Sequence, residues 1–284
     1  MRHAMSQRTP NVPRLTEADL DFIVEVAAPE ATDRALLKRL TLEDESFRKA
    51  LIGDERVLQR VTSADEELLL RISPSLYFEV LLRNAQKELS TASHTMERAG
   101  AQRVPVFDVA QVVDLLDQEP VLYYLTDLLS SFTRIESRVM RMRVRPRVWR
   151  RIRFNDMDID SLIRFAATLD EEQRFAVYKR IADVCLFVTG VFPEYAHFDY
   201  RYPGSRATRP QVSWRARRGM EEYEREGRRF YRLAAEHPVA RGAELSGVLT
   251  LLHDRFGVAR KPLDFVSEHY LHYKRSRVFG LGGT

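Results

Sequence analysis

Hydrophobic residues recur at helical spacing along the first half of the chain. Leu20, Ile23 and Val24, for example, fall on one face of a predicted helix. Similar short amphipathic segments follow as far as residue 135. Between them, the stretch 91–105 is rich in small and polar residues and indicates a connection. The pattern therefore predicts an N-terminal region built of many short helices.

The periodicity changes at about residue 138. Apolar residues alternate with arginines from Met140 to Phe154, on both sides of the tripeptide Arg145-Pro146-Arg147. Alternation with a period of two is typical of a β-strand, and proline suits a turn. We therefore predict one β-hairpin over residues 138–154.

Helical periodicity returns after the hairpin and includes the most apolar segment of the chain. From Ala182 to Phe192 nearly every position is apolar, which is typical of a helix that is buried on all sides. We expect Leu186, Phe187 and Val191 to be almost fully buried. Residues 197–213 lack periodicity and indicate a long loop, and further helices follow it.

These patterns together predict a mainly α protein, either a multi-helix bundle or a short helical-repeat-like array with one β-hairpin insertion. With 284 residues, 44% of them hydrophobic, the chain can bury a sizeable core. The predicted ranges are a flexible leader (1–14), an N-terminal helical region (15–135), the basic β-hairpin (136–155), a C-terminal helical region (156–275) and a flexible tail (276–284).

Composition removes several classes of protein from consideration. Cys185 is the only cysteine, which excludes an intrachain disulfide framework and a multi-cysteine zinc site. The longest apolar run, 184–192, covers nine residues, whereas a membrane-spanning helix needs about 20. We therefore expect no membrane partner and a cytoplasmic location.

Arginine is concentrated in the predicted hairpin. Eight arginines and no acidic residue fall between positions 138 and 153, although the whole chain carries a formal net charge of only +4. In a hairpin, six of these arginines would line one face, a surface that suits phosphates and unstacked bases. The alternative is a structural role, in which acidic residues elsewhere in the chain neutralise the arginines. The residues assigned to the hypothetical nucleic-acid interface are Arg141, Arg143, Arg145, Arg147, Trp149, Arg151 and Arg153.

A second stretch without acidic residues runs from 201 to 218. Two segregated basic stretches create a local positive potential even when the net charge is small. If the two are neighbours in space, they favour an anionic partner, and if they are far apart, they favour the structural role. The residues of this stretch assigned to the interface are Arg201, Arg206, Arg209 and Arg215.

Two weak patterns suggest a metal site. Glu194 and His197 have the E-x-x-H spacing of helical di-iron sites, and His269 and His272 lie three residues apart. The sequence has no second E-x-x-H pair, which a di-iron site requires. It also has no phosphate-binding loop and no G-x-G-x-x-G, G-x-S-x-G or H-E-x-x-H motif. We therefore expect no cofactor and assign no catalytic residue.

Three functions remain open. The first is a helical protein-interaction, scaffold or regulatory protein, for which a protein partner is expected and a homo-oligomer is an option. The second is a nucleic-acid-binding protein that uses the arginine-rich hairpin and the 197–213 loop. The third is an enzyme or metal protein with a site near Glu194 and His197.

Overall fold

The computed structural model describes residues 12–63, 68, 71–99, 102–133, 138–145, 148–154, 157–196 and 218–280. Its α-helices alone hold more than half of the 284 residues, and a β-hairpin occupies 138–154. The predicted mainly α fold class is therefore confirmed. The chain divides into two compact units, the first comprising residues 1–130 with 268–270, and the second 131–267 with 271–284.

The first unit consists of short helices that begin at acidic or hydroxyl residues. Thr16 caps the first helix: its hydroxyl accepts from the Asp19 amide at 3.1 Å, and the Asp19 carboxylate accepts from the Thr16 amide at 2.7 Å. Asp33, Asp44 and Ser73 cap later helices, each with a side-chain oxygen that accepts from a backbone amide of the first turn. The elements are α1 (Glu17–Ala27), α2 (Arg34–Glu43), α3 (Glu45–Ile52), α4 (Glu55–Thr62), α5 (Pro74–Thr91), β1 (Thr95–Ala99), β2 (Gln102–Val106), α6 (Val109–Leu116) and α7 (Glu119–Ser131).

Helix α5 carries a network of buried charges through the core of this unit. The Glu79 carboxylate is fully buried and accepts from Nε of Arg48 and from Nε of Arg83, both at 3.0 Å. Arg83 also forms two parallel hydrogen bonds to Glu119, at 3.1 and 2.8 Å, and its guanidinium lies 5.5 Å from the centre of the Tyr123 ring. Burial of the cations is thus compensated by paired carboxylates and an aromatic face.

Strands β1 and β2 correct one expectation. They form an antiparallel pair in which Thr95 lies opposite Val106 and Met96 opposite Pro105. The expectation that 91–105 is only a connection is therefore wrong. Only Val104 and Val106 show an alternation of apolar residues, and Pro105 between them removes one donor of the ladder, so the usual strand signals are weak.

The second unit contains the predicted hairpin and the remaining helices. Asp158 caps its first helix by accepting from the amides of Asp160 and Ser161, at 3.1 and 3.4 Å. Short 3₁₀ turns cover Glu171–Gln173, Pro193–Ala196 and His272–Lys274, and a π-helical turn covers Ser267–Leu271, of which residues 268–270 are grouped with the first unit. The elements are β3 (Arg138–Arg145), β4 (Val148–Phe154), α8 (Ile159–Ala166), α9 (Arg174–Val191), α10 (Met220–Glu236), α11 (Pro238–Gly242), α12 (Ser246–Asp254), α13 (Phe256–Val266) and α14 (Arg275–Val278).

Helix α9 is the centre of the second unit. Leu186, Phe187 and Val191 are all fully buried, which confirms the prediction made from its apolar pattern. The Phe187 ring stacks on Phe132 with 4.0 Å between centroids. It also meets the ring of Phe279 edge-on at 4.9 Å, although Phe279 belongs to the segment for which the sequence predicts a flexible tail. Cys185 is buried as well, and burial raises the pKa of its thiol.

Gly227 lets α10 approach its neighbours closely. A Cβ atom at this position would lie 2.7 Å from Cζ of Phe256 in α13 and 3.0 Å from Cβ of Cys185 in α9. Such distances leave no room for a methyl group. The missing side chain therefore sets the packing distance of the three helices.

None of the helices within the described ranges has both the length and the apolar character needed to cross a membrane.

Candidate nucleic-acid interface

The register of the β3–β4 hairpin places arginines on one face of a two-stranded ribbon. Val139 lies opposite Arg153, Arg141 opposite Arg151, and Arg143 opposite Trp149. Cross-strand partners share a face of a sheet, and so do positions two apart in one strand. We call the face defined by this register the basic face; it consists of Arg141, Arg143, Trp149, Arg151 and Arg153, together with Val139.

The opposite face of the ribbon is mainly apolar. Met140 lies opposite Ile152, and the other two pairs on this face place Arg138 opposite Phe154 and Met142 opposite Arg150. The hairpin is therefore amphipathic, with four arginines on one face and two on the other. The two arginines of the apolar face can therefore serve as controls for substitutions on the basic face.

A register shift ends the regular alternation near the turn. It falls between Arg143 and Arg145, and Arg145 lies opposite Val148. A bulge of this kind changes the direction in which the following residues project. Arg145 is therefore not assigned to the basic face, and Arg147 lies outside the described residues, as does Pro146.

Most of the second basic stretch also lies outside the described residues, as does His197. Its last residue, Arg218, is described and forms an internal ion pair with Asp160 at 2.5 Å. A carboxylate oxygen of Glu226 lies 3.9 Å from the same guanidinium. Partial burial acts to lower the pKa of Arg218, but the Asp160 carboxylate outweighs it and raises that pKa. Arg218 thus has a structural role. The assigned residues that are not described are Arg201, Arg206, Arg209 and Arg215.

Glu194, the first residue of the proposed metal pair, already has an arginine as its partner. Its carboxylate forms an ion pair with Arg275, which also donates to the Val191 carbonyl at 2.8 Å and lies 4.6 Å from the centre of the Phe192 ring. Arg275 thereby closes the C-terminal end of α9. Arg275 lies 81 residues from Glu194, and no local pattern in the sequence signals that the two are partners.

The histidine pair gives no support to a metal centre. His269 and His272 are both exposed. Among the described residues, no group of three histidine, cysteine, aspartate or glutamate side chains could hold a metal ion. The backbone φ of His272 is 29°, a value that residues other than glycine rarely adopt.

The basic face can attract and orient a polyanion, and the tryptophan beside it offers a surface on which a base can stack. No protein-family model matches the chain, and no curated protein and no solved structure matches it either.

Proposed function

We propose that this chain binds single-stranded nucleic acid through the basic face of the β3–β4 ribbon. The observation that supports this proposal is the register, which places four arginines and one tryptophan on the same face. Guanidinium groups bind phosphates in a bidentate geometry, and an indole ring stacks on any unpaired base. A ribbon with this combination fits a backbone whose bases are free to turn outward.

The cross-strand pair Arg141–Arg151 adds a physical reason for an anionic partner. Two like charges directly opposite each other destabilise a sheet. Phosphate groups between the two guanidinium groups would offset this repulsion and release the counterions that otherwise surround the nucleic acid. Binding and stabilisation of the hairpin are therefore expected together.

The first test compares two double variants that remove the same charge from opposite faces. Binding of a fluorescein-labelled oligothymidine or an unstructured RNA is followed by fluorescence anisotropy over a range of salt concentrations. Arg141→Gln with Arg151→Gln should weaken binding and reduce the slope of log K against log salt by about 1.4, since each phosphate contact on a single strand contributes about 0.7. Arg138→Gln with Arg150→Gln, on the apolar face, should leave the slope nearly unchanged.

The second test concerns stacking. Trp149→Ala should weaken binding by roughly 1–3 kcal/mol, the contribution of one stacked base, while the salt slope stays the same. A duplex of the same sequence should bind less tightly than the single strand. The arginine variants should therefore change the salt slope, and Trp149→Ala should change only the affinity. This separation distinguishes a ribbon interface from general attraction to a basic protein.

Two results count against this function. The first is the absence of binding at about 50 mM salt, where phosphate contacts are strong. The second is an equal loss in both double variants, which would show that charge acts without regard to the face on which it lies. A large loss of stability in Arg141→Gln with Arg151→Gln would instead show that these arginines pair with acids of the same chain.

A cytoplasmic location belongs to the same proposal, because single-stranded RNA is available there. It is supported by the single cysteine, which gives no disulfide framework. Cell fractionation of the natural host would test it, with recovery outside the cytoplasm as the contrary result.

Protein interaction is the second candidate function, and a different surface favours it. Phe107, directly after β2, is 81% exposed, and Met96 and Val104 of the same hairpin are also exposed. An exposed aromatic beside a two-stranded sheet is a typical place for self-association, because each strand has an edge that a second copy can pair with. Sedimentation velocity should show a concentration-dependent dimer that Phe107→Ser abolishes. A monomer at all concentrations would remove this candidate.

A further inference from the structure

Helices α10, α11 and α12 line an open groove on the second unit, and none of the lining residues belongs to the β3–β4 ribbon. Its volume is about 550 Å³, within the 300–1,000 Å³ typical of sites for small molecules. Most of its lining side chains can donate hydrogen bonds, and only one is acidic. The polar residues that line it are Arg232, Glu236, Arg241, Ser246, Thr250 and His253.

Side chain-to-backbone hydrogen bonds fix the groove at both ends. At one end, the Ser246 hydroxyl at the start of α12 donates to the Ala235 carbonyl near the end of α10, at 2.8 Å. At the other end, Arg228 of α10 donates from Nε to the His253 carbonyl at 3.0 Å and from Nη2 to the Asp254 carbonyl at 2.7 Å. The two helices are therefore held in place before any ligand arrives, which lowers the entropy cost of binding.

A further contact with Arg228 determines the tautomer of the neutral His253 ring. Its Nδ1 lies 2.8 Å from the Arg228 carbonyl oxygen, and because a carbonyl only accepts, Nδ1 carries a hydrogen. In the neutral ring, Nε2 is then left as an acceptor. In that form Nε2, which lies 3.7 Å from an Asp254 carboxylate oxygen, can accept a hydroxyl hydrogen of a ligand.

Arg232 differs from the neighbouring arginines of α10 in its pairing. Arg228 pairs with Glu224 at 3.7 Å and Arg229 with Glu226 at 3.4 Å. Arg232 has Glu236 one turn later, in the order arginine before glutamate, the less favourable one for such a pair. Within the described part of the chain, its guanidinium forms neither an ion pair nor a hydrogen bond.

Arg241 supplies a second cation to the groove. Among the described residues, its guanidinium donates only a long hydrogen bond, of 3.4 Å, to the Glu236 carbonyl. The groove thus contains two guanidinium groups and one carboxylate, a formal charge of +1, and the Thr250 hydroxyl is also part of its lining.

We propose that this groove is a binding site for a small organic phosphate. The phosphate lies against Arg232 and Arg241 and accepts from the Thr250 hydroxyl, since charged donors of this kind bind phosphate oxygens best. Glu236 and Nε2 of His253 accept hydrogen bonds from hydroxyl groups on the remainder of the ligand. The site is independent of the ribbon, and its ligand is a small molecule rather than a polymer.

The experiment uses ribose 5-phosphate as the probe, with ribose and inorganic phosphate as comparison ligands, and the full chain in isothermal titration calorimetry. Ribose 5-phosphate should bind saturably at 1:1 and at least tenfold more tightly than either comparison ligand. Arg232→Gln and Arg241→Gln should each weaken it by at least about tenfold, since hydrogen bonds between charged groups are stronger than those between neutral groups. Arg229→Gln, a neighbour on α10 already paired with Glu226, should bind as the unchanged chain does.

The outcomes separate this proposal from the ribbon function. No saturable binding at several millimolar probe overturns the site, as does equal binding by Arg232→Gln and the unchanged chain. Inorganic phosphate that binds as tightly as the sugar phosphate overturns the part assigned to Glu236 and His253. Arg141→Gln with Arg151→Gln should leave ribose 5-phosphate binding unchanged, so a failure of nucleic-acid binding and a failure of this site are distinguishable.

Discussion

Helices α5 and α9 have the same length, 18 residues, and each supplies much of the core of its own unit, but they bury different chemistry. The buried residues of α5 include Glu79, Arg83 and two amides. Those of α9 are apolar or small apart from Asp183 and Thr189. One core is held by paired charges in addition to apolar packing, and the other mainly by apolar packing.

The difference matters because the two kinds of core respond differently to change. A buried ion pair tolerates its own burial only as long as both partners are present, since a lone buried charge is strongly destabilising. An apolar core loses the transfer free energy of the atoms removed and the contacts around the cavity that they leave. Substitutions in α5 and α9 should therefore lower the free energy of unfolding for different reasons.

The largest effect is expected at the centre of the charged core. Glu79→Gln leaves two buried guanidinium groups, those of Arg48 and Arg83, without the carboxylate that both share. We expect a loss of about 3–5 kcal/mol in the free energy of unfolding. Urea denaturation measures it, and hydrogen exchange should show that protection falls in the first unit.

A matched control for this substitution is Glu43→Gln. Glu43 pairs with Arg39 at 3.9 Å on the surface of α2, where both side chains are about two-thirds exposed. Such pairs contribute at most about 1 kcal/mol. If Glu79→Gln costs no more than Glu43→Gln, the charged core does not stabilise the first unit and the comparison with α9 fails.

The apolar core is tested next, at Leu186 of α9. Leu186→Ala should reduce the free energy of unfolding by about 2–5 kcal/mol, because the side chain is fully buried and its removal leaves a cavity. Leu42→Ala is the control, as Leu42 is 58% exposed. A loss below about 1 kcal/mol for Leu186→Ala would mean that α9 can close the cavity, contrary to a tightly packed centre.

The two helices also mark what could be predicted from the sequence. The burial of α9 follows from its composition, because a segment without a polar face has no solvent-facing side. The burial of Glu79 and Arg83 in α5 does not, because charged side chains are almost never fully buried unless they are paired. Their partners Arg48 and Glu119 lie 31 and 36 residues away, and no local rule connects them.

The candidate sites follow the same division. Alternation of apolar residues and arginine located the β3–β4 hairpin and its arginines, because a strand pair is a local structure with a period of two. The bulge at Arg145 and the α10–α12 groove were not foreseen. The groove depends on which faces of two helices pack together, which single-sequence periodicity does not specify.

Close packing in the second unit is tested at Gly227, with a smaller expected effect. Gly227→Ala places a methyl group against the ring of Phe256 and Cβ of Cys185. We expect a net loss of about 1–3 kcal/mol from overpacking, although alanine alone would favour the helix by about 1 kcal/mol.

Gly247→Ala is the control for this substitution. Gly247 lies in α12, and a Cβ atom there would have no neighbour within 4 Å. Stability should rise slightly, by at most about 1 kcal/mol. Thermal denaturation of the two variants should give shifts of opposite sign. Shifts of the same sign would show that α10 can move away from α9 and α13 at little cost.

The smallest effect concerns pH and returns to the charged core. Partial burial acts to raise the pKa of Glu119, but the hydrogen bonds and charge of Arg83 outweigh it, with Lys49 at 3.2 Å, so that this pKa is lowered. A carboxyl whose pKa is lower in the folded state stabilises the fold above its unfolded pKa of about 4.3. That contribution is lost as the pH falls through the folded pKa. Because Glu119 is partly exposed, we expect a pH-dependent contribution of roughly 1 kcal/mol.

Glu119→Gln isolates this contribution. At pH 7 the variant should be less stable than the unchanged chain, and the difference between the two should shrink as the pH is lowered from about 5 to 3, because protonated Glu119 and glutamine are both neutral. Urea denaturation at a series of pH values measures the difference. Arg83 and Lys49 keep their charge over this range, and the Tyr123 hydroxyl stays neutral because burial raises its pKa further. A difference in unfolding free energy that stays constant with pH would show that Glu119 acts through its shape and hydrogen bonds alone. The charged core would then resemble the apolar one more closely than its composition suggests.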